Sequence, residues 1–205
     1  NEVPLWETML ACIKLGAVLV PCTLLLSQAD LADRIERGGI RHLVVGSAQT
    51  GKFDAMDPTL TRICVGGECA GWHPFEALYA GADGFTPDAP TRADDPMLLY
   101  FTSGTTAKPK LVLHTQQSYP VGHLTTLFWI GLREGDIHCN ISSPGWAKHA
   151  WSSFFAPWNA GACIFVHRAA RFNAAATLKV LADKGVTTLC APPTVWRLFI
   201  QEDLA

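Results

Sequence analysis

The sequence lacks any strongly basic stretch: sixteen Lys and Arg stand against eighteen Asp and Glu, a net charge of −2. That balance offers no positive field to a phosphodiester backbone, so no nucleic-acid partner is expected. It also lacks an apolar run of the roughly 20 residues that a membrane-spanning helix needs. The two longest, 15–26 and 150–166, are interrupted by Pro21 and by Pro157 with Asn159. No signal-peptide pattern opens the chain. Seven cysteines are too few and too scattered for a framework: the number is odd and no CxxC occurs. Reduced thiols in a cytoplasmic protein are the reading that follows. Cys64-x4-Cys69 and His138-Cys139 supply no set of four ligands, so no metal site is expected from them. Missing as well are the Walker A pattern, the dinucleotide GxGxxG and the GxSxG elbow, which removes the commonest nucleotide and serine-hydrolase signatures.

What is present is a packed chain. Of 205 residues, 49% are hydrophobic and 17% charged, which suits one large α/β domain or two small ones and not a disordered segment. Leu5, Met9 and Ile13 recur at helical spacing up to Gly16, predicting a helix over 5–15. A buried strand is expected at 17–22, a helix from the capping box Ser27–Asp30 through Arg37, ended by Gly38 and Gly39, and strands at 42–45 and 62–65. Residues 66–96 are rich in Gly, Pro and Asp, with one helical piece near 75–79. Strands at 97–101 and 111–114 follow, then one helix over 116–132, a strand at 137–141 and a helix over 149–160. A strand at 162–167, a helix from Asn173, a strand at 187–190 and a helix after Pro193 complete the alternation. Apolar strands alternating with helices predict an α/β fold of mainly parallel sheets flanked by helices. Two sub-structures are expected, 1–90 and 91–205.

Between the strands at 97–101 and 111–114 lies Thr102-Ser103-Gly104-Thr105-Thr106-Ala107-Lys108-Pro109-Lys110. Four hydroxyls, two ammonium groups and a glycine that lets backbone N–H groups approach a ligand are what a polyphosphate requires. A solvated Thr-rich loop has the same composition, so on composition alone both readings stand. The order of residues adds more. Tyr100–Lys110 resembles the phosphate loop of the adenylate-forming superfamily, which includes acyl-CoA synthetases, peptide-synthetase adenylation domains and firefly luciferase. Ile13–Thr23, Ser142–Trp158 with Gly161-Ala162, and Ala191–Thr194 resemble further segments of that family. The match extends over nearly the whole chain, and its pattern is most similar to the medium-chain acyl-CoA synthetases.

The resemblance implies a reaction and roles. ATP, Mg²⁺ and CoA would serve to convert a carboxylic acid, short- or medium-chain or aromatic, to an acyl-adenylate and then a thioester. Lys110 would be the catalytic cation, with Thr102, Ser103, Gly104, Thr105, Thr106, Ala107 and Lys108 around the phosphates. Trp146 and His149 would line the acid's pocket; each also reads as an aromatic or core side chain. Two positions depart from the pattern, Ala107 and Leu111, where the family usually or often has Gly. If position 107 needs a positive φ, Ala there costs about 1 kcal/mol. His114 matches a family histidine, and Trp151, Phe154, Phe155 and Trp158 form a core-like stripe at helical spacing. The chain starts without Met and stops inside a helical pattern, so it is expected to be an incomplete part of the large N-terminal domain, inactive by itself. A peptide-synthetase adenylation domain and a non-catalytic binding fragment remain the alternatives, and a homo-oligomer stays open.

Overall fold

The computed structural model describes residues 1–81, 84–102, 108–169 and 171–203. Helix α1 (Val3–Leu15) starts with a proline in its first turn and stops at Gly16, whose φ of 68° lets the N–H groups of Gly16 and Ala17 reach back to Ile13 and Cys12. Helix α2 (Gln28–Gly38) opens on the expected capping box: Asp30 N donates to Ser27 Oγ (3.2 Å) and Ser27 N to Asp30 Oδ2 (3.0 Å). Strands β1 (His42–Gly46), β2 (Thr61–Val65) and the two-residue β3 (His73–Pro74) pair in parallel, in that order. A 3-10 turn over Phe75–Ala80 follows β3.

Strands β4 (Pro96–Thr102) and β5 (Lys110–Thr115) pair with each other. Next come α3 (Ser118–Gly122) and α4 (Leu124–Ile130), then β6 (Ile137–Asn140). A continuous helical stretch follows, made of α5 (Ala147–Ala150), a π-helical segment at Trp151–Phe155 and α6 (Ala156–Asn159). Strand β7 (Cys163–Phe165), α7 (Ala174–Asp183), β8 (Thr188–Cys190) and α8 (Pro193–Phe199) complete the order. β6 lies between β7 and β8 and is parallel to both, as strands joined through crossover helices must be. The α/β class with parallel sheets and flanking helices is therefore the one observed.

Contacts divide the chain into two compact units. One holds residues 1–21, 91–100 and 113–205; the other holds 22–90 and 101–112. The first has two cores. Trp6, Met9, Met97, Leu98, Tyr100, Tyr119, Phe154 and Phe155 form one, and Cys139, Ala174, Leu181, Val195 and Phe199 the other. The second unit is built on Leu31, Leu43, Phe53, Leu60, Cys64 and Trp72. Burying a Leu, Phe or Met side chain of this kind stabilises by about 1.5–3 kcal/mol.

Two expected elements differ. Residues 17–22 form no strand: only Leu19 bridges, donating to Met97 O and accepting from Leu99 N, both at 2.9 Å. Pro21 has no N–H to extend the ladder. The single helix over 116–132 is two, parted at His123. Gly122 weakens the helix there, and the His123 ring turns to Thr126 Oγ1 (3.1 Å). The π segment was not foreseen either. Pro157 cannot donate to Ser153 O, and the Trp6 indole N–H donates to that carbonyl instead (3.0 Å), while Ala156 N reaches five residues back to Trp151 O.

Candidate functional site

β4 ends at Thr102 and β5 begins at Lys110. Ser103, Gly104, Thr105, Thr106 and Ala107 of the expected phosphate loop lie outside the described residues, and with them the φ at position 107. Both flanks are described. Thr102 Oγ1 donates to Lys110 O across the neck of the loop at a long 3.5 Å, and Lys110 is exposed.

The loop's exit is held by α2. Asp33 and Arg37, one helical turn apart, pair at 2.9 Å. The second oxygen of Asp33 takes Lys108 Nζ at 3.1 Å, and Arg37 Nη2 donates to Pro109 O at 2.8 Å. Bonds from Arg37, then Lys108, hold the Asp33 carboxyl below its usual range. On the entry side, the Arg34 and Arg37 guanidinium carbons stand 4.8 and 5.4 Å from the centre of the buried Phe101 ring. Gly38 fits that packing, since a Cβ there would meet Ile40 at 3.3 Å and Phe101 at 3.6 Å. Sequence reading missed Asp33 and Arg37. Their i,i+4 spacing was visible, but nothing in the string ties them to a loop 72 residues away.

The first unit gathers rings from the end of β5 onward. His114 lies 4.5 Å from Tyr119, Tyr119 lies 4.4 Å from His123, and His123 stacks on Trp151 at 5.7 Å. Tyr119 Oη donates to Ala147 O (2.7 Å), tying α3 to the start of α5. Burial pushes the Tyr100 and Tyr119 phenols well above their ordinary values and lowers His114 and His123, the latter to about 4. Both imidazoles are thus neutral at pH 7.

Trp146 and His149 are placed oppositely. Trp146 is 64% exposed, whereas His149 is 2% exposed and packs its ring 5.6 Å from Trp6. His149 N donates to Trp146 O (2.9 Å), and its Nε2 bonds Asn1 Oδ1 (2.9 Å), so Nε2 carries the proton. Burial, first, lowers His149 to about 3. Beside them Lys148 Nζ donates to Asn140 Oδ1 (3.1 Å), and Asn140 Nδ2 to Ser153 Oγ (3.2 Å). Phe154 and Phe155 of the aromatic stripe are buried, while Trp158 is 39% exposed. Among the described residues no group of three His, Cys, Asp or Glu could hold a metal ion, and no helix is long and apolar enough to cross a membrane.

The chain matches the family model described as AMP-binding enzyme over residues 1–205. It is 37% identical over 205 residues to the human mitochondrial acyl-coenzyme A synthetase ACSM5, covering 97% of this chain and 35% of that protein. It is also 37% identical over 212 residues to 4-hydroxybutyrate–CoA ligase 1 of Metallosphaera sedula, with the same coverage. Among solved structures, an acyl-CoA synthetase of Brucella canis superposes with a TM-score of 0.85 at 24% identity, over 98% of this chain and 37% of that one. An anthranilate–CoA ligase bound to anthranoyl-AMP gives 0.83 at 23%. The chain thus spans about 35% of the length of the relatives it matches.

Proposed function

Because the chain belongs to the AMP-binding enzyme family, we propose that it forms part of the ATP-handling domain of an AMP-forming acid–thiol ligase. In the first step a carboxylate oxygen attacks the α-phosphorus of ATP, and the bond to pyrophosphate breaks. In the second, the thiol of CoA attacks the acyl carbonyl of the adenylate, and AMP leaves. Phosphoryl chemistry of this kind needs charge stabilisation above all. The observation that carries the reading is the Thr102–Lys110 segment between two paired strands, with its exit anchored by Arg37 on Pro109 O and by Asp33 on Lys108.

Lys110 is the catalytic cation in this reading, offering its ammonium to the β- and γ-phosphates. Thr102, Ser103, Gly104, Thr105, Thr106, Ala107 and Lys108 cradle those phosphates. Trp146, exposed, is the wall met by the acid, and His149 supports it from behind through the bond to Trp146 O. ATP and CoA follow from the reaction. Mg²⁺ would neutralise the phosphates, but the described residues hold no cluster for it, so no residue of this chain is assigned to that ion. A short acid is the proposed substrate class, supported by the 4-hydroxybutyrate ligase among the relatives. The proposed location is a reducing compartment, the cytoplasm or, as several relatives' names suggest, the mitochondrion. The test is pyrophosphate exchange and thioester formation with a panel of short, medium-chain and aromatic acids. The full-length protein is expected to catalyse both, and residues 1–205 alone neither. A full-length protein without exchange on any acid would overturn the reading.

A further inference from the structure

None of the seven cysteines is in a disulfide, yet two of them touch: Cys64 Sγ and Cys69 Sγ are 3.0 Å apart. Cys64 is the fourth residue of β2 and wholly buried among Leu43, Phe53, Leu60 and Trp72. The chain leaves β2 through Val65 and turns at Gly66 and Gly67, with φ values of 82° and 132°. Only glycine adopts that pair of conformations at little cost, and the turn brings Cys69 back over its own strand. Cys69 is half-buried, and Trp72 N donates to its carbonyl (3.0 Å), which fixes its backbone. Thr50 Oγ1 lies 3.9 Å from Cys69 Sγ and gives its proton to Ser47 O at 3.0 Å. An apolar surround such as that of Cys64 disfavours the thiolate. The two sulfurs are therefore unlike in access: Cys69 is half-buried, Cys64 wholly buried. Burial, then the neighbouring Cys69 sulfur, pushes the Cys64 thiol up to about 11.

We propose that Cys64 and Cys69 are a modification site, a thiol pair that a hydroperoxide converts to a reversible disulfide within the turn after β2. The sulfurs need close only about 1 Å more to reach the length of an S–S bond. Cys69 gives its thiol proton to solvent and, as thiolate, attacks a peroxide oxygen; the O–O bond breaks, hydroxide leaves and takes up a proton as the first water, and Cys69 becomes a sulfenic acid. The Cys64 sulfur then attacks the Cys69 sulfur; S–S forms, S–O breaks, and hydroxide leaves with the Cys64 proton as a second water. In sum two thiols and one hydrogen peroxide give one disulfide and two waters. The thiols lose two electrons and the peroxide gains them. A dithiol returns both sulfurs to the reduced form by exchange. The inference does not depend on the ligase reading.

The sequence supplies a clean assay. Trypsin cleaving after Arg62 and Arg92 releases residues 63–92, which contain these two cysteines and no other. The reduced full-length protein is treated with hydrogen peroxide, blocked with N-ethylmaleimide, digested and weighed. The expected 63–92 peptide carries no maleimide and is about 2 Da lighter than its dithiol form, because two hydrogens have left; dithiothreitol before blocking restores two maleimides. A doubly blocked peptide, or Cys69 arrested as sulfinic acid with Cys64 blocked, would overturn the proposal. Cys69→Ser leaves the core residue Cys64 in place, and there Cys64 is expected to stay reduced; its oxidation at the wild-type rate would overturn the assigned order. The equilibrium constant for closing the pair against dithiothreitol is expected to fall at least about tenfold in concentrated urea, where the turn is lost. Equal constants in the folded and unfolded chain would show that the fold does not build this site.

Discussion

Lys108 and Lys110 flank one loop in different surroundings. Lys108 shares its charge with Asp33 at 3.1 Å, while Lys110 opens β5 as an exposed residue. A cation already paired has less to give an incoming phosphate, because the partner must be displaced first. In the full-length protein, Lys110→Ala is expected to lower the pyrophosphate-exchange rate at sub-saturating ATP at least about tenfold, or 1.4 kcal/mol. Lys108→Ala should cost less. Rates for both that match the wild type would take the loop out of the mechanism. Trp146 and His149 teach a related lesson. Three residues apart in sequence, they end on opposite sides of the protein's skin, because His149 lies on the helical face that packs on Trp6.

Among the elements, α2 has a task that its sequence does not announce. Its Asp33–Arg37 turn would be an ordinary half-buried i,i+4 ion pair, worth a few tenths of a kcal/mol, were it not for the bond from Arg37 to Pro109 O. Arg37→Gln is expected to raise the Michaelis constant for ATP about threefold to tenfold with kcat nearly unchanged, since it frees the loop's exit without touching the reacting atoms. Arg37→Lys should restore only part, as it keeps the charge and loses the planar fork. An unaltered Michaelis constant would count against the anchoring role. The helical stretch 147–159 depends on another distant partner. Trp6→Phe keeps the ring in the core but orphans Ser153 O, so unfolding free energy is expected to drop by about 1–3 kcal/mol in urea melts. A change within about 0.5 kcal/mol would mean that the carbonyl finds water.

Across the whole molecule, four histidines share one cause for their titration. Burial lowers His114, His123, His138 and His149, His123 to about 4 and His149 to about 3. A histidine lowered on folding takes up its proton more readily when unfolded. The stability it contributes is full above about pH 6.5 and is lost as the pH falls toward the folded value. Each histidine held fully neutral adds a slope of up to about 1.4 kcal/mol per pH unit in that window, less for the more exposed His114 and His123. Thermal melts should therefore fall steadily from pH 7 to pH 5, before the lowered carboxyls of Asp33 and Asp136 begin to protonate. A midpoint that stays level over that range would contradict the burial of these rings.

The amino-acid sequence by itself determined the alternation of elements, since helix caps, glycine stops and apolar spacing act over a few residues. Ser27 with Asp30, Gly16, Gly39 and Asn173 fell where local chemistry required them. It also determined the family, because the order of residues from Tyr100 to Lys110 is specific. Only the tertiary structure decided what distant residues do to one another. Leu19 met Met97 and Leu99 at one bridge instead of a strand, and His123 parted a helix that spacing alone would have run through. Trp6 took the carbonyl that Pro157 left empty, Arg37 found Pro109, and a Gly66–Gly67 turn laid Cys69 against Cys64. Each of these is a single hydrogen bond or contact whose partner is chosen by packing, and packing has no period that can be read along the chain.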